Sequence, residues 1–264
     1  MKNIFILFVL FSVSKLFAGI TIVNGLTHIH DAKPGDKING TIVIKNINPN
    51  ESERVSVLLK HIDQTCGEEG NYVDPKKFER SIVNWITFNT TEKVIRPGRS
   101  FNLKYTIKIP KTYKDLPLDF GSFWNTVLIQ GNQVLSENTT QGVTINSKVR
   151  YGVQLIVNLG KKMNPELTFE QVRLSKLKDD VRLMQVKVEN LGNFMVKPEV
   201  LIQLFNEDGT EAYKTNANIR KLYPNGCRIF NVYLEGVPKG KYEGVLVADY
   251  GSDIFGINLT LNIE

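Results

Sequence analysis

The sequence predicts an all-β chain: two tandem immunoglobulin-like β-sandwich domains behind an N-terminal signal peptide. Three observations carry that expectation. Apolar residues recur with period two from Gly19 to the C-terminus, turn-forming clusters punctuate them at short intervals, and no segment carries a convincing helical stripe. A length of 264 residues exceeds what one sandwich of about 100 residues needs and suits two. Hydrophobic residues at 42% and charged residues at 23% are ordinary globular usage, enough to build cores without metals or disulfides.

The N-terminus reads Met1-Lys2, an apolar run from Ile4 to Val13, then Ser14-Lys15-Leu16-Phe17-Ala18 before Gly19, the order of charge, apolar core and small residue found in secretory signals. Cleavage is placed after Ala18, although Leu16 occupies a site where a small residue is preferred. Lys15 interrupts an apolar stretch already shorter than the roughly 20 residues of a bilayer span. Loss of residues 1–18 removes Lys2 and Lys15 and no acids, leaving 31 basic against 27 acidic residues. That small excess, with only short pairs at Lys76-Lys77 and Lys161-Lys162, gives no reason to expect nucleic acid. After the signal no second long apolar run appears, so no membrane span is expected in the mature chain.

Strand patterns follow in order. The first domain is assigned residues 19–160. Ile38, Ile42 and Ile44 lead to Asn46; Val55, Val57 and Leu59 follow; Phe101, Leu103, Tyr105, Ile107 and Ile109 precede Pro110. Lys33-Pro34-Gly35-Asp36, Arg96-Pro97-Gly98-Arg99 and Tyr223-Pro224-Asn225-Gly226 each precede a strand, and Glu207-Asp208-Gly209 has the chemistry of a hairpin turn. The longest alternation places Val143, Ile145, Ser147, Val149, Tyr151, Val153, Leu155 and Val157 on one face, with Thr144, Asn146, Lys148, Arg150 and Gln154 on a face polar enough to meet water. At ~3.3 Å per residue such a strand spans roughly 50 Å, well beyond the usual length. Asn158-Leu-Gly160-Lys-Lys-Met-Asn164-Pro165 breaks it and reads as the linker.

The second domain, residues 161–264, repeats the pattern with Met184, Val186 and Val188; Val196, Val200, Ile202 and Leu204; Phe230, Val232 and Leu234; and Phe255, Ile257, Leu259, Leu261 and Ile263. Leu167 to Leu174 fits a bulged strand as well as a short helix. Cys66 and Cys227 fall in different domains, so a bridge would have to cross between them; two separate thiols ask for less coincidence.

Candidate chemistry is sparse. His28 and His30 share a strand face and could hold a metal with His61 or Asp63, but no third ligand has clear spacing and exposure near a turn explains the pair better. No metal or cofactor is expected. Gly121-Ser122-Phe123 lacks the second glycine of a nucleophile elbow, Cys66 has no basic cluster beside it in sequence, and the acid pairs Glu68-Glu69 and Asp179-Asp180 would point to opposite faces of an extended chain. No catalytic residue is assigned and no enzyme is expected. Trp85, Phe88, Phe123 and Trp124 could form a carbohydrate platform, yet Trp85 opens an apolar strand and suits a core better.

Several segments resemble a known family. Pro34-Gly35-Asp36 through Asn46, Trp85-Ile-Thr-Phe88, Arg96-Pro97-Gly98 with its strand, and Gly121-Ser-Phe-Trp124-Asn-Thr-Val-Leu-Ile129 are similar to the N-terminal domain of the pilus-assembly periplasmic chaperones. The long strand resembles the chaperone strand that lends alternating apolar residues to an incomplete subunit, with Arg150, or Lys148 one frame away, near the family's basic cleft residue. Where those chaperones carry an arginine in the first strand, this chain offers Thr27. The run Val188-Glu-Asn190-Leu-Gly192, Phe205 to Gly209, Tyr223 to Gly226 and Gly240 to Gly244 is similar to the second domain of WxL-interacting surface proteins, without their membrane helix and basic tail.

The resemblance implies an exported protein, periplasmic or cell-surface associated, that acts as a non-catalytic chaperone-like or scaffold module of the bacterial envelope. Its partner would be an envelope or surface protein such as a pilus-like subunit, captured by sheet-edge pairing. Val143, Ile145 and Val149, with Lys148 and Arg150, are the candidate partner-binding residues. The alternative is a surface adhesin or wall-associated scaffold that binds glycan or protein through loops, foremost the insertion from Asp63 to Arg80.

Overall fold

A computed structural model describes residues 19–67, 70–113, 116–117, 120–133, 148–161, 165–177, 181–251 and 253–263. The signal segment 1–18, the candidate residues Val143 and Ile145, the acid pairs Glu68-Glu69 and Asp179-Asp180, and linker residues 162–164 lie outside the described residues.

The chain is all-β, with one 3-10 turn at Pro75–Lys77 and no α-helix among the described residues. Residues 19–161 form β1 (Ile20–Ile22), β2 (Thr27–Ala32), β3 (Lys37–Asn46), β4 (Glu53–Asp63), β5 (Thr65–Gly67), β6 (Asn71–Val73), β7 (Ile86–Phe88), β8 (Glu92–Ile95), β9 (Ser100–Lys108), β10 (Thr112–Tyr113), β11 (Leu116–Pro117), β12 (Gly121–Gln133) and β13 (Lys148–Leu159). One sheet is ordered β1-β3-β9-β7; the facing sheet is ordered β2-β13-β12-β4-β6, with β8 also on β4. Alternation dictates what each face buries. Ile42, Ile44, Leu103 and Ile107 point from the first sheet into a shared core with Val57, Val127, Ile129, Val153, Leu155 and Val157 from the second. Trp85 is 6% exposed and packs its ring 5.1 Å from that of Phe123, a core position as expected. Complete burial of each Val, Leu or Ile contributes about 1.5–3 kcal/mol, so the two inner faces supply the main stabilisation of this sandwich.

The second sandwich comprises β14 (Leu167–Lys176), β15 (Arg182–Asn190), β16 (Glu199–Phe205), β17 (Glu211–Asn216), β18 (Gly226–Leu234), β19 (Gly240–Asp249) and β20 (Ile254–Ile263). Its sheets are ordered β14-β15-β18-β5 and β17-β16-β19-β20. Met184, Val186, Val188, Phe230 and Val232 face Val200, Ile202, Leu204, Leu246 and Ala248 across the core. The segment Leu167 to Leu174 is a strand, with its register shift between Phe169 and Gln171. The bulge explains why a helical period also fitted: one extra residue resets the alternation midway.

Three turns share one chemistry. Lys33–Asp36, Arg96–Arg99 and Tyr223–Gly226 each close with a backbone hydrogen bond from the fourth residue to the first, at 3.1, 3.1 and 2.9 Å. Proline presets φ at the second position. The third needs positive φ, which Gly35 (90°), Gly98 (65°) and Asn225 (55°) adopt.

Each sandwich also closes one end with a buried asparagine at the last position of a core strand. Asn46 Nδ2 donates to the carbonyls of Glu51 and Ile95, while its Oδ1 accepts from Asn48 N–H. Asn190 does the same to Phe194, Leu222 and Gly192. A buried amide with all three partners orders its loop; an aliphatic residue there would orphan them.

Candidate binding edge and interdomain cleft

Strand β13 lies next to the sheet edge and is paired differently along its length. Throughout, it is antiparallel to β12, from Lys148 opposite Asn132 to Leu159 opposite Gly121. On its other side β2 runs parallel to it only from Gln154 to Leu159, starting where Gln154 N–H donates to the Leu26 carbonyl at 2.9 Å. Among the described residues no strand pairs with β13 on that side before Gln154. Because backbone groups alternate sides along a strand, the N–H and C=O groups of Lys148, Arg150 and Gly152 point the same way as those of Gln154, toward the open edge.

The side chains of this strand differ from expectation. Val149 and Tyr151 are half-buried against the first core, and the Tyr151 hydroxyl donates to the Ile20 carbonyl at 3.0 Å. Val153, Leu155 and Val157 are wholly buried. The odd face is therefore occupied at home from Val149 onward. Lys148 and Arg150 project from the even face, where Arg150 donates to Gln130 Oε1 at 2.8 Å. Further along, that face does not simply meet water. Ile156 is wholly buried and Asn158 nearly so, where the second sandwich covers them.

The cover forms a cleft of ≈ 640 Å³ between the sandwiches. From the first come Thr27, Ile29, Gln64, Gln154 and Asn158; from the second come Met195, Lys197, Ile219, Arg220, Lys221, Arg228 and Tyr250. Four of these are cationic and none is a carboxylate. Lys221 Nζ donates to Thr27 Oγ1 and Gln154 Oε1, bridging the two sandwiches. Its pKa is lowered, first by burial and then by the charges of Lys197 and Arg228. Burial and like charge both disfavour the ammonium, so an anion entering the cleft relieves repulsion that is already present.

Neither Lys148 nor Arg150 lines this cleft. Arg150 sits four residues before Gln154, roughly 13 Å away at ~3.3 Å per residue. The position next to Thr27 is instead served by Lys221, from the other domain. Sequence reasoning missed Lys197, Arg220, Lys221 and Arg228 because only Arg220-Lys221 are adjacent in the chain. Arg220, Lys221 and Arg228 flank the Tyr223–Gly226 turn that the sequence does show, whereas Lys197 reaches them only through the bridge between Val196 and Leu222.

The sandwiches are joined by specific contacts. Ile62, Trp124, Ile156 and Tyr223 form a separate buried cluster, with Met195 against it. Phe78, His61, Trp124 and Tyr223 stack in a column with successive ring centroids 4.3, 4.7 and 4.4 Å apart. Desolvation depresses the His61 pKa to about 4, against a smaller opposing effect of its contact with the Trp124 carbonyl. Ser122 is wholly buried; its Oγ donates to Asn158 Oδ1 at 2.7 Å and accepts from Met195 N–H at 2.8 Å. It is a bridging group of the interface.

Cys66 and Cys227 are bonded to each other, with Cα atoms 4.4 Å apart, in place of the separate thiols expected. The physical reason is β5. This short strand leaves the first sandwich and pairs, parallel, with β18 of the second, bringing Cys66 beside Cys227. His28 and His30 converge on the Tyr105 hydroxyl, at 3.1 and 2.9 Å, on the opposite side of β2 from the cleft-lining Thr27 and Ile29. Burial raises the Tyr105 pKa to about 12, so the phenol stays protonated between them.

No family model and no curated protein sequence matches this chain. Solved structures do. It is similar to the YadV chaperone at 16% identity and TM-score 0.46, over 92% of this chain and 100% of that one. It is similar to the class 5 fimbriae chaperone CfaA at 14% identity and TM-score 0.44, over 91% and 98%. The CupB2 chaperone of Pseudomonas aeruginosa gives 12% identity and TM-score 0.38, over 90% and 99%.

Proposed function

We propose that this chain is an exported, non-catalytic binding protein of the bacterial envelope that captures an extended segment of a partner protein on the open edge of β13. The observation that carries this reading is continuity: the backbone edge at residues 148–153, without a partner strand among the described residues, runs directly to Gln154, where the cationic cleft begins. A strand laid along that edge gains main-chain hydrogen bonds, and a carboxylate at its end gains the cations of Lys197, Arg220, Lys221 and Arg228. An envelope or surface protein such as a pilus-like subunit has the required chemistry. The signal-like residues 1–18 support export, and the division at residues 160 and 161 supports two sandwiches that hold the cleft between them. The likeness of the second sandwich to WxL-interacting proteins belongs to the same proposal.

Side-chain recognition falls to Val143 and Ile145, because Val149 packs against the home core. A charge at Val149 would therefore disturb the core as well as the edge, and the test is placed at Ile145 and Arg150 instead. Ile145→Asp and Arg150→Pro are expected to reduce partner capture at least tenfold while the thermal midpoint stays within a few degrees. Arg150→Pro removes an edge donor without touching the β12 ladder. Pull-downs from the native envelope that are unchanged by both variants would sink the mechanism.

The loop-binding adhesin has less support. The insertion from Asp63 to Arg80 is engaged internally: β5 joins β18, β6 joins β4, and Phe78 stacks on His61.

A further inference from the structure

We propose that the Cys66–Cys227 disulfide is a redox latch that keeps the interdomain cleft assembled, so that the cleft is complete in an oxidising compartment and loosened in a reducing one.

Four observations converge on the latch. First, the latched element is small. β5 has three residues, pairs with β18 only at its edge, and shifts register between Cys227 and Arg228. A strand this short is marginal without a further tie. Second, Cys66 is held at φ 53°, a left-handed conformation that a side chain with a Cβ adopts at a cost and that the surrounding bonds must impose. Third, the bond lies against the residues that build the cleft. Gln64, two residues before Cys66, donates through Nε2 to the Lys221 carbonyl and accepts Tyr223 N–H on its Oε1, while its backbone carbonyl accepts Cys227 N–H. Gln64, Lys221 and Arg228 all line the cleft. Release of β5 therefore withdraws the support on which Lys221 and Arg228 are positioned.

The fourth observation is access. Cys227 is 3% exposed, but Cys66 is only partly buried and lines a surface pocket of ≈ 260 Å³ with Gln171, Arg173, Gln185 and Lys187. Two cations, Arg173 and Lys187, line the same pocket and favour an approaching thiolate. A dithiol reductant attacks Cys66 Sγ, forming a mixed disulfide as the Cys66–Cys227 bond breaks and Cys227 leaves as thiolate. The second thiol of the reductant then closes on the first, releasing Cys66. Two electrons pass from the dithiol, which becomes a disulfide, and its two protons end on the two cysteines. Each sandwich keeps its own core throughout, because neither core cluster contains Cys66 or Cys227.

Hydrogen exchange of the full mature chain, followed by mass spectrometry, tests the latch without any partner, so its failure and the failure of edge pairing are separately visible. Oxidised protein is compared with protein reduced by dithiothreitol and with Cys66→Ser/Cys227→Ser. The expected result is exchange at least tenfold faster in peptides covering residues 60–67 and 221–228 in both reduced and variant forms, with β12 and β16 unchanged. Unchanged exchange on reduction would overturn the proposal, since the clasp would then hold without its bond. So would faster exchange throughout both cores, which would make the disulfide a general staple of the fold, and so would a variant that stays protected while the reduced protein opens.

Discussion

The two halves of β13 carry the same alternation to different ends. From Gln154 to Leu159 both edges are paired, the odd side chains are wholly buried, and the even side chains reach the cleft or the second sandwich. From Lys148 to Val153 one edge is open among the described residues, and the odd side chains pass from half-buried at Val149 and Tyr151 to fully buried at Val153. The difference teaches that one alternation can be fully enclosed along one half of a strand and keep, among the described residues, one edge without a partner strand along the other. From Val149 to Val157 the apolar stripe belongs to the home core, and under the proposed function a partner would read this strand by its backbone edge.

The largest effect expected along this strand comes from charge in its closed half. Leu155→Asp puts a carboxylate into a fully buried site and should cost more than about 4 kcal/mol, enough to unfold the first sandwich. Val149→Asp, at a half-buried site, should cost about half as much. Chemical denaturation of the two variants checks the gradient; equal losses would erase the distinction between the halves.

Proline sharpens the same contrast through the backbone. Gln154→Pro removes the N–H that donates to Leu26 and should cost about 3 kcal/mol, whereas Arg150→Pro should cost less than about 1 kcal/mol. A large penalty at Arg150 would mean that the edge is already covered.

A pH titration probes the closed end, where His61 is stacked in the interdomain column. Its folded pKa is about 4, below the ordinary 6.5, so the unfolded chain binds the proton more readily. Stability should therefore be full above pH 6.5, fall as pH drops from 6.5 to 4 by at most ~1.4 kcal/mol per pH unit, and level off below. Thermal midpoints of wild type and His61→Phe should converge above pH 7 in their pH dependence and diverge below it. The smallest effect belongs to Lys221→Met. Burial and neighbouring cations already disfavour its charge, so its loss should change stability by less than about 1 kcal/mol while weakening anion binding in the cleft.

Much of the fold was legible because its rules are local. Val186 and Val188 had to share a face whatever surrounded them, and Pro97-Gly98 had to turn. Period two and turn chemistry are steric properties of neighbouring residues, and they gave the strands, the two cores and the core position of Trp85. The bulge at Phe169 to Gln171 marks the limit, since one inserted residue mimics another period until pairing resolves it.

The site was much less legible. Lys221, beside Thr27 and Gln154, belongs to a strand connection 194 residues from the first and 67 from the second. Cys66 meets Cys227 across 161 residues only because β5 crosses to the other sandwich. By itself the sequence determined which side chains alternate, where the chain turns, and that two apolar stripes must each be buried between sheets. Tertiary structure alone decided how much of β13 is paired by β2, which cations share a cleft, and which thiols bond, because those depend on how distant segments meet and not on the sterics of adjacent residues.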